Sequence, residues 1–389
     1  FFVIIGAKIL SRHFMEQIYS KANPFLAKIK ERYHLTRSGS KKNTQHVVLD
    51  IAGSGLTYHV GDSVGIFPQN PQSLVVKTLR AMGASGTEIV KDKHTGEEYS
   101  LHTFLTNKAN ITDLSKKLLT IISQNQTDLK KKAALETLLA EGSQDLLKAY
   151  LESHELWDAL EENPEVKFSL QNLCHLLMPL LPRLYSISSS MSVVGEEIHL
   201  TIGVLKYNTN GYQRVGVCTN FICEVAPLNE AVVPIYIQAH HGFTIPANSE
   251  SPMIMIGPGT GVAPFRAFMQ ERMAYQAPGK NWLFFGECNR ATDFFYEDYW
   301  TSLQDEGKLR LDVAFSRDQE EKIYVQHRMR EQGAELYRWL MEGSYLYVCG
   351  DASRMAKDVE ATLQEIICTH GKKDNQEARE IIKKLRVEK

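Results

Sequence analysis

The clearest pattern along the chain is an alternation of short apolar runs with amphipathic stretches in its last third. The apolar runs occupy residues 251–256, 282–286, 311–317 and 345–351, and helix-like segments separate them. Strands that alternate with helices are typical of a parallel sheet, whose strands all end at the same edge. Ligands of such sheets bind at that edge, so the pattern predicts an α/β region with a binding site there.

The hydrophobic period is different between about residues 71 and 180. Apolar residues such as Leu135 and Leu146 recur there at helical spacing, with Lys and Glu between them. Residues 46–51 and 58–68, which precede this region, are strand-like instead. The pattern predicts a helical insert that follows a pair of strands.

A turn with three glycines, at 257, 259 and 261, follows the first apolar run and precedes a helix-like segment. Glycine lets the backbone approach a ligand closely, and the first N–H groups of a helix are unpaired donors that favour an anion. The spacing G-x-G-x-G differs from the dinucleotide fingerprint G-x-G-x-x-G, and no acidic residue for a ribose 2′-OH follows at the expected distance. The turn predicts a phosphate site that is not of the NAD type.

The segment 316–326 offers a hydroxyl, a guanidinium and an ammonium beside a tyrosine ring. These groups suit a 2′-phosphate and a stacked adenine, and the segment would lie at the same sheet edge as Gly257 and Cys349. The alternative is a charged loop whose basic groups pair with its own Asp318, Glu320 and Glu321.

A second group of hydroxyl and glycine residues lies at 183–190, 201–207 and 216–222. Arginine can bind a diphosphate, tyrosine can stack on a flat ring, and serine can donate to a ring nitrogen. A turn at 216–219 can offer backbone N–H groups to phosphate. The alternative is that the serine-rich stretch is only a turn.

Taken in their order and spacing, six motifs resemble the ferredoxin–NADP reductase superfamily, and more narrowly its diflavin-reductase branch. They are Arg183-Leu184-Tyr185-Ser186, Gly216-Val217-Cys218-Thr219, 257–261, Ser316-Arg317, 322–326 and 349–351. Within that branch, residues 253–270, 277–286, 323–326 and 330–335 are most similar to the flavoproteins of NADPH-dependent sulfite reduction. The resemblance covers roughly residues 45–389.

The resemblance implies a role for each matching residue. Ser186, near the flavin N5, and Cys349, beside the nicotinamide C4, would be the catalytic residues. FAD would be bound by Arg183, Leu184, Tyr185, Ser186, Thr201, Ile202, Gly203, Tyr207, Gly216, Val217, Cys218 and Thr219. NADPH would be bound by Gly257, Gly259, Thr260, Gly261, Ser316, Arg317, Lys322, Ile323, Tyr324, Val325, Gln326 and Asp358. For Cys218 and Cys349 the alternative is a buried cysteine that only packs.

The fold that the resemblance implies is an α/β protein with a β-barrel. An antiparallel FAD-binding barrel would extend over residues 45–246 and be interrupted by the helical connecting insert at 71–180. A parallel-sheet NADP-binding domain would follow over 247–389, and residues 1–44 would form an N-terminal segment or linker.

The implied function is that of a reductase module that passes electrons from NADPH through FAD to an FMN domain or a haemoprotein, in the reduction of sulfite to sulfide. The alternatives are another diflavin reductase, an NADPH–flavodoxin or cytochrome reductase, or a nucleotide-binding scaffold without turnover. The segment before the barrel is too short for an FMN domain, and the chain ends without the aromatic lid of the family. We therefore expect a fragment at both ends.

Composition narrows the class of partner and compartment. A formal net charge of −2 does not indicate a protein that binds nucleic acid or an anionic membrane through its net charge. Six cysteines without a C-x-x-C pair suit a reducing cytoplasm, and no metal site is expected, since His240 and His241 would point to opposite faces of a strand. The apolar segment of residues 1–10 is too short to span a bilayer. We interpret it as the cut end of a longer chain or as a docking segment.

Overall fold

The computed structural model describes residues 2–5, 18–240, 242–351 and 353–387. The strands in this part of the chain are β1 (Phe2–Ile5), β2 (Phe25–His34), β3 (Thr44–Asp50), β4 (Ser63–Ile66), β5 (Ile89–Lys91), β6 (Glu98–Ser100), β7 (Ala109–Asn110), β8 (Met178–Pro179), β9 (Arg183–Ser186), β10 (Glu197–Gly203), β11 (Lys206–Thr209), β12 (Tyr212–Val215), β13 (Ala231–Gln238), β14 (Met253–Ile256), β15 (Asn281–Glu287), β16 (Arg310–Phe315) and β17 (Tyr345–Cys349).

The helices in this part of the chain are α1 (Gln72–Met82), α2 (Leu101–Asn107), α3 (Lys116–Asn125), α4 (Leu129–Leu139), α5 (Gln144–Ser153), α6 (Leu156–Glu162), α7 (Leu170–Leu176), α8 (Met191–Val194), α9 (Val217–Asn220), α10 (Ala263–Ala274), α11 (Arg290–Asp293), α12 (Glu297–Asp305), α13 (Val325–Glu331), α14 (Gly333–Met341), α15 (Met355–Gly371) and α16 (Asn375–Val387). The longest helices, α10, α15 and α16, lie in the last third of the chain. A π-helical segment follows α9, and a 3-10 helix, Gly259–Val262, precedes α10.

The chain divides into two compact units. The first comprises residues 1–65, 184–204 and 227–389, and the second comprises residues 66–183 and 205–226. The proposed domain bounds at 44, 71, 180 and 246 stay predictions.

The first unit contains a barrel. Its sheet has the strand order β10-β3-β2-β13-β4-β9, with β3 antiparallel to both β2 and β10. An antiparallel bridge between Ile187 and Leu200 joins the two edge strands, so the sheet closes on itself. The predicted antiparallel barrel is confirmed. Strand β3 is buried along almost its whole length, because side chains on one face fill the barrel and those on the other pack outside it.

The first unit also contains a five-stranded sheet in the order β1-β17-β14-β15-β16. Strands β14 to β17 run parallel, and β1 pairs antiparallel with β17 at the edge. Successive side chains of β14 enter two different cores: Met253 and Met255 pack with Phe265 and Trp300, whereas Ile254 and Ile256 pack on the opposite face. Strands covered on both faces explain the continuous apolar runs in the sequence, and the predicted parallel sheet is confirmed.

The apolar start of the sequence is described only in part. Residues 2–5 form β1, whereas Phe1 and residues 6–17 lie outside the described residues. None of the helices that the structure describes combines the length and the apolar character that crossing a membrane requires.

The second unit is mainly helical, as the fold class predicts. Leucines of α1 to α7 pack around Trp157 in one core. Serine or aspartate accepts a hydrogen bond from the first turn at the start of α2, α3, α4 and α7, which explains where those helices begin. The region is not uniformly helical, because β5 and β6 form a hairpin and β7 pairs with β8. Leu146, which the helical spacing assigned to the apolar face, is 62% exposed.

A buried ionic cluster anchors the hairpin of β11 and β12 in the second unit. The Arg214 guanidinium donates to Glu155 Oε2 at 2.6 Å and to Asp158 Oδ2 at 2.7 Å. Trp157 Nε1 also donates to Glu155 Oε2, at 2.8 Å, and the Arg214 guanidinium lies 5.1 Å from the centroid of the Trp157 ring. All the charged groups are buried, so each carboxylate depends on this one cation.

We predict that Arg214→Ala lowers the free energy of unfolding by about 3–5 kcal/mol, because two carboxylates would stay buried without a counter-ion. Urea unfolding followed by tryptophan fluorescence measures the change. The control is Lys148→Ala, which removes an exposed ion pair of 3.8 Å with Glu152 and should cost less than about 1 kcal/mol. Equal effects of the two substitutions would contradict the assignment of Arg214 as the anchor.

Candidate functional site

The order of the parallel strands creates a switch point beside β14. The chain proceeds from β14 to β15 and β16 on one side and then crosses to β17 on the other. The glycine turn follows β14, and Cys349-Gly350 follows the neighbouring strand, so both lie at the carboxyl ends where doubly wound sheets bind ligands.

The backbones of these two segments approach each other closely. A Cβ atom at Gly261 would lie 2.1 Å from the carbonyl oxygen of Cys349, so no other residue fits there without a shift of the backbone. Gly259 has a φ of +59°, in the left-handed region, and begins the 3-10 helix that continues into α10. The turn therefore places backbone N–H groups and the start of a helix at the mouth of the site.

A cavity of about 430 Å³ opens at this sheet edge. Segments after β14, β15, β16 and β17 contribute to it, as a ligand site at a switch point requires. Its lining residues are Lys42, Pro258, Gly259, Gly286, Glu287, Cys288, Ala314, Ser316, Arg317, Lys322, Tyr324, Val325, Gln326, Asp351, Arg354, Met355 and Asp358. Eight of these were predicted as nucleotide-binding residues; Gly257, Thr260, Gly261, Ile323 and Cys349 lie nearby but do not line the cavity.

Three cations at the rim have no carboxylate partner. Within the described parts of the chain, the side chains of Arg317, Lys322 and Arg354 are exposed and form no ion pair. Asp318, the acid next to Arg317, accepts from the backbone N–H of Arg290 at 3.0 Å instead. The structure thus does not show the alternative in which the charged loop neutralises itself, and the rim suits a phosphate group.

The other residues of segment 316–326 offer contacts to a flat ring such as adenine. Tyr324 precedes α13, and its partly exposed ring stacks on His327 with centroids 6.0 Å apart. Gln326 Nε2 donates to Asp358 Oδ2 at 3.3 Å, so these two predicted residues form one polar wall. Ile323 and Val325 pack into the core and hold the segment against the sheet.

Cys349 is buried, and burial raises the pKa of its thiol to about 12. The group is therefore protonated at neutral pH and available as a weak donor, not as a thiolate nucleophile. Cys288, in the cavity wall, also has a raised thiol pKa because of burial.

Nine of the seventeen lining residues were not predicted as site residues, and Lys42, Glu287 and Arg354 are three of these. Lys42 Nζ donates to Glu287 Oε1 at 2.6 Å and Oε2 at 2.8 Å, across 245 positions of the chain. Arg354 follows β17 by a few residues, and its position after a predicted strand end could have identified it. No sequence pattern pairs Lys42 with Glu287.

Glu287, Cys288 and Asp293 are the one group of potential metal ligands found in the described residues. Both carboxylates are already engaged: Glu287 with Lys42, and Asp293 with the hydroxyl of Ser40. His240 joins no such cluster there, and His241 lies outside the described residues.

The predicted FAD residues are distributed over both compact units. Leu184, Tyr185, Ser186, Thr201, Ile202 and Gly203 belong to the first unit, and Arg183, Tyr207, Gly216, Val217, Cys218 and Thr219 belong to the second. In the first unit, Leu184 is 55% exposed and Thr201 is buried. Gly203 lies at the end of β10, where an added Cβ atom would be 3.6 Å from the methyl group of Thr260 in the glycine turn.

In the second unit, the segment from Gly216 to Thr219 forms a one-turn helix held by Leu205. Gly216 N–H donates to the Leu205 carbonyl at 2.9 Å, and Leu205 N–H donates to Thr219 Oγ1 at 3.2 Å. Gly216 is the residue before α9, so the turn lies at the start of a helix, where an anion is favoured. Such a turn suits a pyrophosphate.

A polar seam joins the barrel to the parallel-sheet part of the first unit. We define the seam as His46, Ser188, Thr201, Arg266 and Tyr296. The Tyr296 hydroxyl lies 2.8 Å from His46 Nδ1 and 2.7 Å from Thr201 Oγ1, and Arg266 donates to the Ser188 carbonyl at 2.7 Å. Burial, then the charges of Arg266 and His199, lower the pKa of His46 to about 3, so its ring is neutral at neutral pH.

The residues at this sheet edge fit a nicotinamide dinucleotide with a 2′-phosphate. The exposed cations and the Tyr324 ring fit a 2′-phosphoadenosine, and the glycine turn fits a pyrophosphate. Tyr185 and Ser186, the predicted flavin contacts, both belong to β9.

Comparisons with known proteins agree with this fit. A sequence model of the family described as "FAD binding domain" matches residues 18–221, and one described as "Oxidoreductase NAD-binding domain" matches residues 255–361. The chain is 43% identical over 364 residues to the sulfite reductase [NADPH] flavoprotein alpha-component of Bacillus subtilis. The aligned part is 93% of this chain and 59% of the relative. It is 41% identical over 377 residues to the proteins of the same name from Escherichia coli O9:H4 and Shigella flexneri, with 95% of this chain and 60% of each relative covered.

The chain thus spans about three fifths of the length of the curated relatives that it matches. The matched families and relatives confirm the predicted resemblance, and they support FAD and NADPH as the cofactors.

We predict that the free energy of unfolding falls as the pH is lowered from about 6.5 towards 3, in part because of His46. In that window the unfolded chain binds a proton on this imidazole and the folded chain does not, so protons favour unfolding. Tyr33, His199 and Tyr296 face the ring, and burial together with the charges of Arg266 and His199 lowers its pKa. Urea midpoints at about pH 7.5 and about pH 5 measure the loss.

His46→Gln should make the loss of stability between the two pH values smaller than in the unmodified chain. His34→Gln is the control, because His34 is exposed on β2 and is hydrated whether the chain is folded or not. An unchanged pH dependence in the His46 variant would refute the prediction.

Proposed function

Because the chain belongs to the FAD-binding domain family, in the diflavin-reductase branch of the ferredoxin–NADP reductase superfamily, we propose that it is an NADPH-oxidising flavoprotein module. The observation that carries the proposal is the cavity at the switch point: three cations that form no ion pair within the described residues lie at its mouth, beside a partly exposed tyrosine ring. A nicotinamide dinucleotide with a 2′-phosphate complements each of these features.

When both nucleotides are bound, hydride passes from the nicotinamide C4 to the flavin N5, which oxidises NADPH and reduces FAD. The contribution of the protein is to bind, orient and shield. In this proposal Arg317, Lys322 and Ser316 hold the 2′-phosphate, the glycine turn holds the pyrophosphate, and the neutral thiol of Cys349 lies beside the nicotinamide.

On the flavin side, Tyr185 stacks on the ring and Ser186 donates to N5. Arg183 and the turn of Gly216 to Thr219 bind the FAD diphosphate, and Thr201, Ile202, Gly203 and Tyr207 line the site. These roles remain proposals that rest on the family motifs and on the position of the turn at the start of α9.

We further propose that reduced FAD passes its electrons singly to an FMN-containing domain or protein, and from there to a haemoprotein that reduces sulfite to sulfide. The support is that the relatives are sulfite reductase [NADPH] flavoprotein alpha-components. A cytoplasmic location, predicted from cysteine usage, stays a prediction.

The half-reaction is tested by anaerobic mixing of the FAD-loaded chain with one equivalent of NADPH or NADH. Bleaching of the flavin band near 450 nm, about where oxidised flavins absorb, is expected with NADPH and not with NADH at the same concentration. A flavin that stays oxidised, or a chain that binds no FAD, would favour a nucleotide-binding scaffold without turnover.

Selectivity for the 2′-phosphate gives a sharper test. Arg317→Ala should weaken NADPH binding by about 1–3 kcal/mol, roughly 5- to 150-fold in Kd, and should leave NADH binding unchanged, because only NADPH loses a charge-assisted hydrogen bond. Arg338→Ala is the control: this exposed arginine pairs with Glu335 on α14, away from the cavity. Equal losses for NADPH and NADH would refute the assignment of Arg317.

A further inference from the structure

Helix α10 begins directly after the glycine turn, and its side chains contact the segment that follows Ser186. Arg266 of this helix donates from Nη1 to the Ser188 carbonyl at 2.7 Å. One turn later, Gln270 Oε1 accepts from the Ser190 backbone N–H at 2.9 Å, and Glu271 accepts from the Ser190 hydroxyl. The turn predicted to bind pyrophosphate and the strand predicted to contact the flavin are thus linked through one rigid helix.

The Arg266 guanidinium also stacks on two tyrosine rings of the parallel-sheet part. Its carbon lies 4.8 Å from the ring centroid of Tyr296 and 5.9 Å from that of Tyr299. The hydroxyl of Tyr296 then reaches the barrel, where it bridges His46 and Thr201. Since a phenol has one proton, it donates to one of these partners and accepts from the other.

Two features of this arrangement reduce stability. Arg266 is partly buried, yet in the described residues no carboxylate pairs with it and its Nε atom has no hydrogen-bond partner. Tyr296 has a φ of +58°, a left-handed conformation that costs a bulky residue on the order of 1 kcal/mol or more. An apolar pair would pack at lower cost, so stability alone does not account for these residues.

The contacts of Arg266 with Ser188 and of Tyr296 with Thr201 instead end on segments with predicted flavin residues. Ser188 follows Ser186 in the same extended segment, and Thr201 begins the run that ends at Gly203. The Gly203 backbone itself lies against Thr260 of the glycine turn. These links therefore connect the nucleotide turn, or the helices beside it, to the segment after β9, to β10 and to its neighbour β3.

We propose that Arg266 and Tyr296 are positioning residues that hold β9 and β10 in register with the glycine turn and so set the hydride-transfer geometry. The inference rests on the proposed function, because it concerns the distance between a bound nicotinamide and a bound flavin. Neither residue lines the nucleotide cavity, so both act through the strands that they hold.

The test compares three variants of the full chain, each loaded with FAD. Arg266→Met keeps the side-chain length and removes the donor and the charge. Tyr296→Phe keeps the ring under Arg266 and removes the bridge. Tyr299→Phe is the matched control, because its ring stacks under the same guanidinium while its buried hydroxyl has no hydrogen-bond partner in the described residues.

Flavin reduction is followed by anaerobic stopped flow at saturating NADPH and normalised to bound FAD. Arg266→Met should lower the limiting rate by about tenfold to a hundredfold and Tyr296→Phe by up to about tenfold, as expected for a misplacement below about 1 Å. The rate with NADPH deuterated at C4 should show an isotope effect that differs from that of the unmodified chain. The Kd values for NADPH and FAD should stay within about twofold, and Tyr299→Phe should behave as the unmodified chain.

The outcomes separate the possible roles. If the unmodified chain is not reduced by NADPH, the proposed function fails and this inference fails with it. If the unmodified chain is reduced and both Arg266→Met and Tyr296→Phe reach its normalised rate and isotope effect, only the inference is overturned, even if both melt at a lower temperature. A rate loss equal in Tyr296→Phe and Tyr299→Phe would also overturn it, since the loss would then not depend on the hydrogen bonds of Tyr296 to His46 and Thr201.

Discussion

The constraint on which the site depends is the close approach of two backbones at the switch point of the parallel sheet. Gly261 lies so near the Cys349 carbonyl that a single added carbon would overlap it. This contact brings the turn after β14 against the end of β17, and it fixes where α10 begins. Because α10 starts there, the positions of Arg266, Gln270 and Glu271 along the helix follow from the same contact.

The polar character of the seam follows from the same geometry. An apolar interface between the barrel and the parallel sheet would bury more carbon, but side chains that only pack can slide by a fraction of an ångström. Hydrogen bonds to the Ser188 carbonyl and to Thr201 have defined directions, so they specify one alignment. The neutral state of His46 fits this view, since a charged ring beside Arg266 would force the two sides apart.

Much of this architecture could be predicted from the sequence, and for identifiable reasons. Strand β14 is buried on both faces, so its sequence is a continuous apolar run. The close approach of the backbones at Gly261 leaves room for glycine alone. Both features are therefore visible in the local sequence. The contact between Lys42 and Glu287, and the reach of Tyr296 to His46, leave none, because each joins residues more than 240 positions apart. Leu146 shows the converse: it lies in a helix as its spacing predicts, yet Leu147, Tyr150 and Leu151 of that helix pack against the core and Leu146 is exposed.

The second unit applies the same physical principle at another place. Arg214 binds two carboxylates of the segment that begins α6, and Asn210 donates to the Ser153 carbonyl, so the hairpin of β11 and β12 is attached at two points. The hairpin leads directly into Gly216, and Tyr207 lies on its first strand. A guanidinium fork that meets two carboxylates allows one register, whereas a leucine contact would allow several. The helical insert therefore serves as a frame that orients the turn at Gly216, and the ionic cluster defines that orientation.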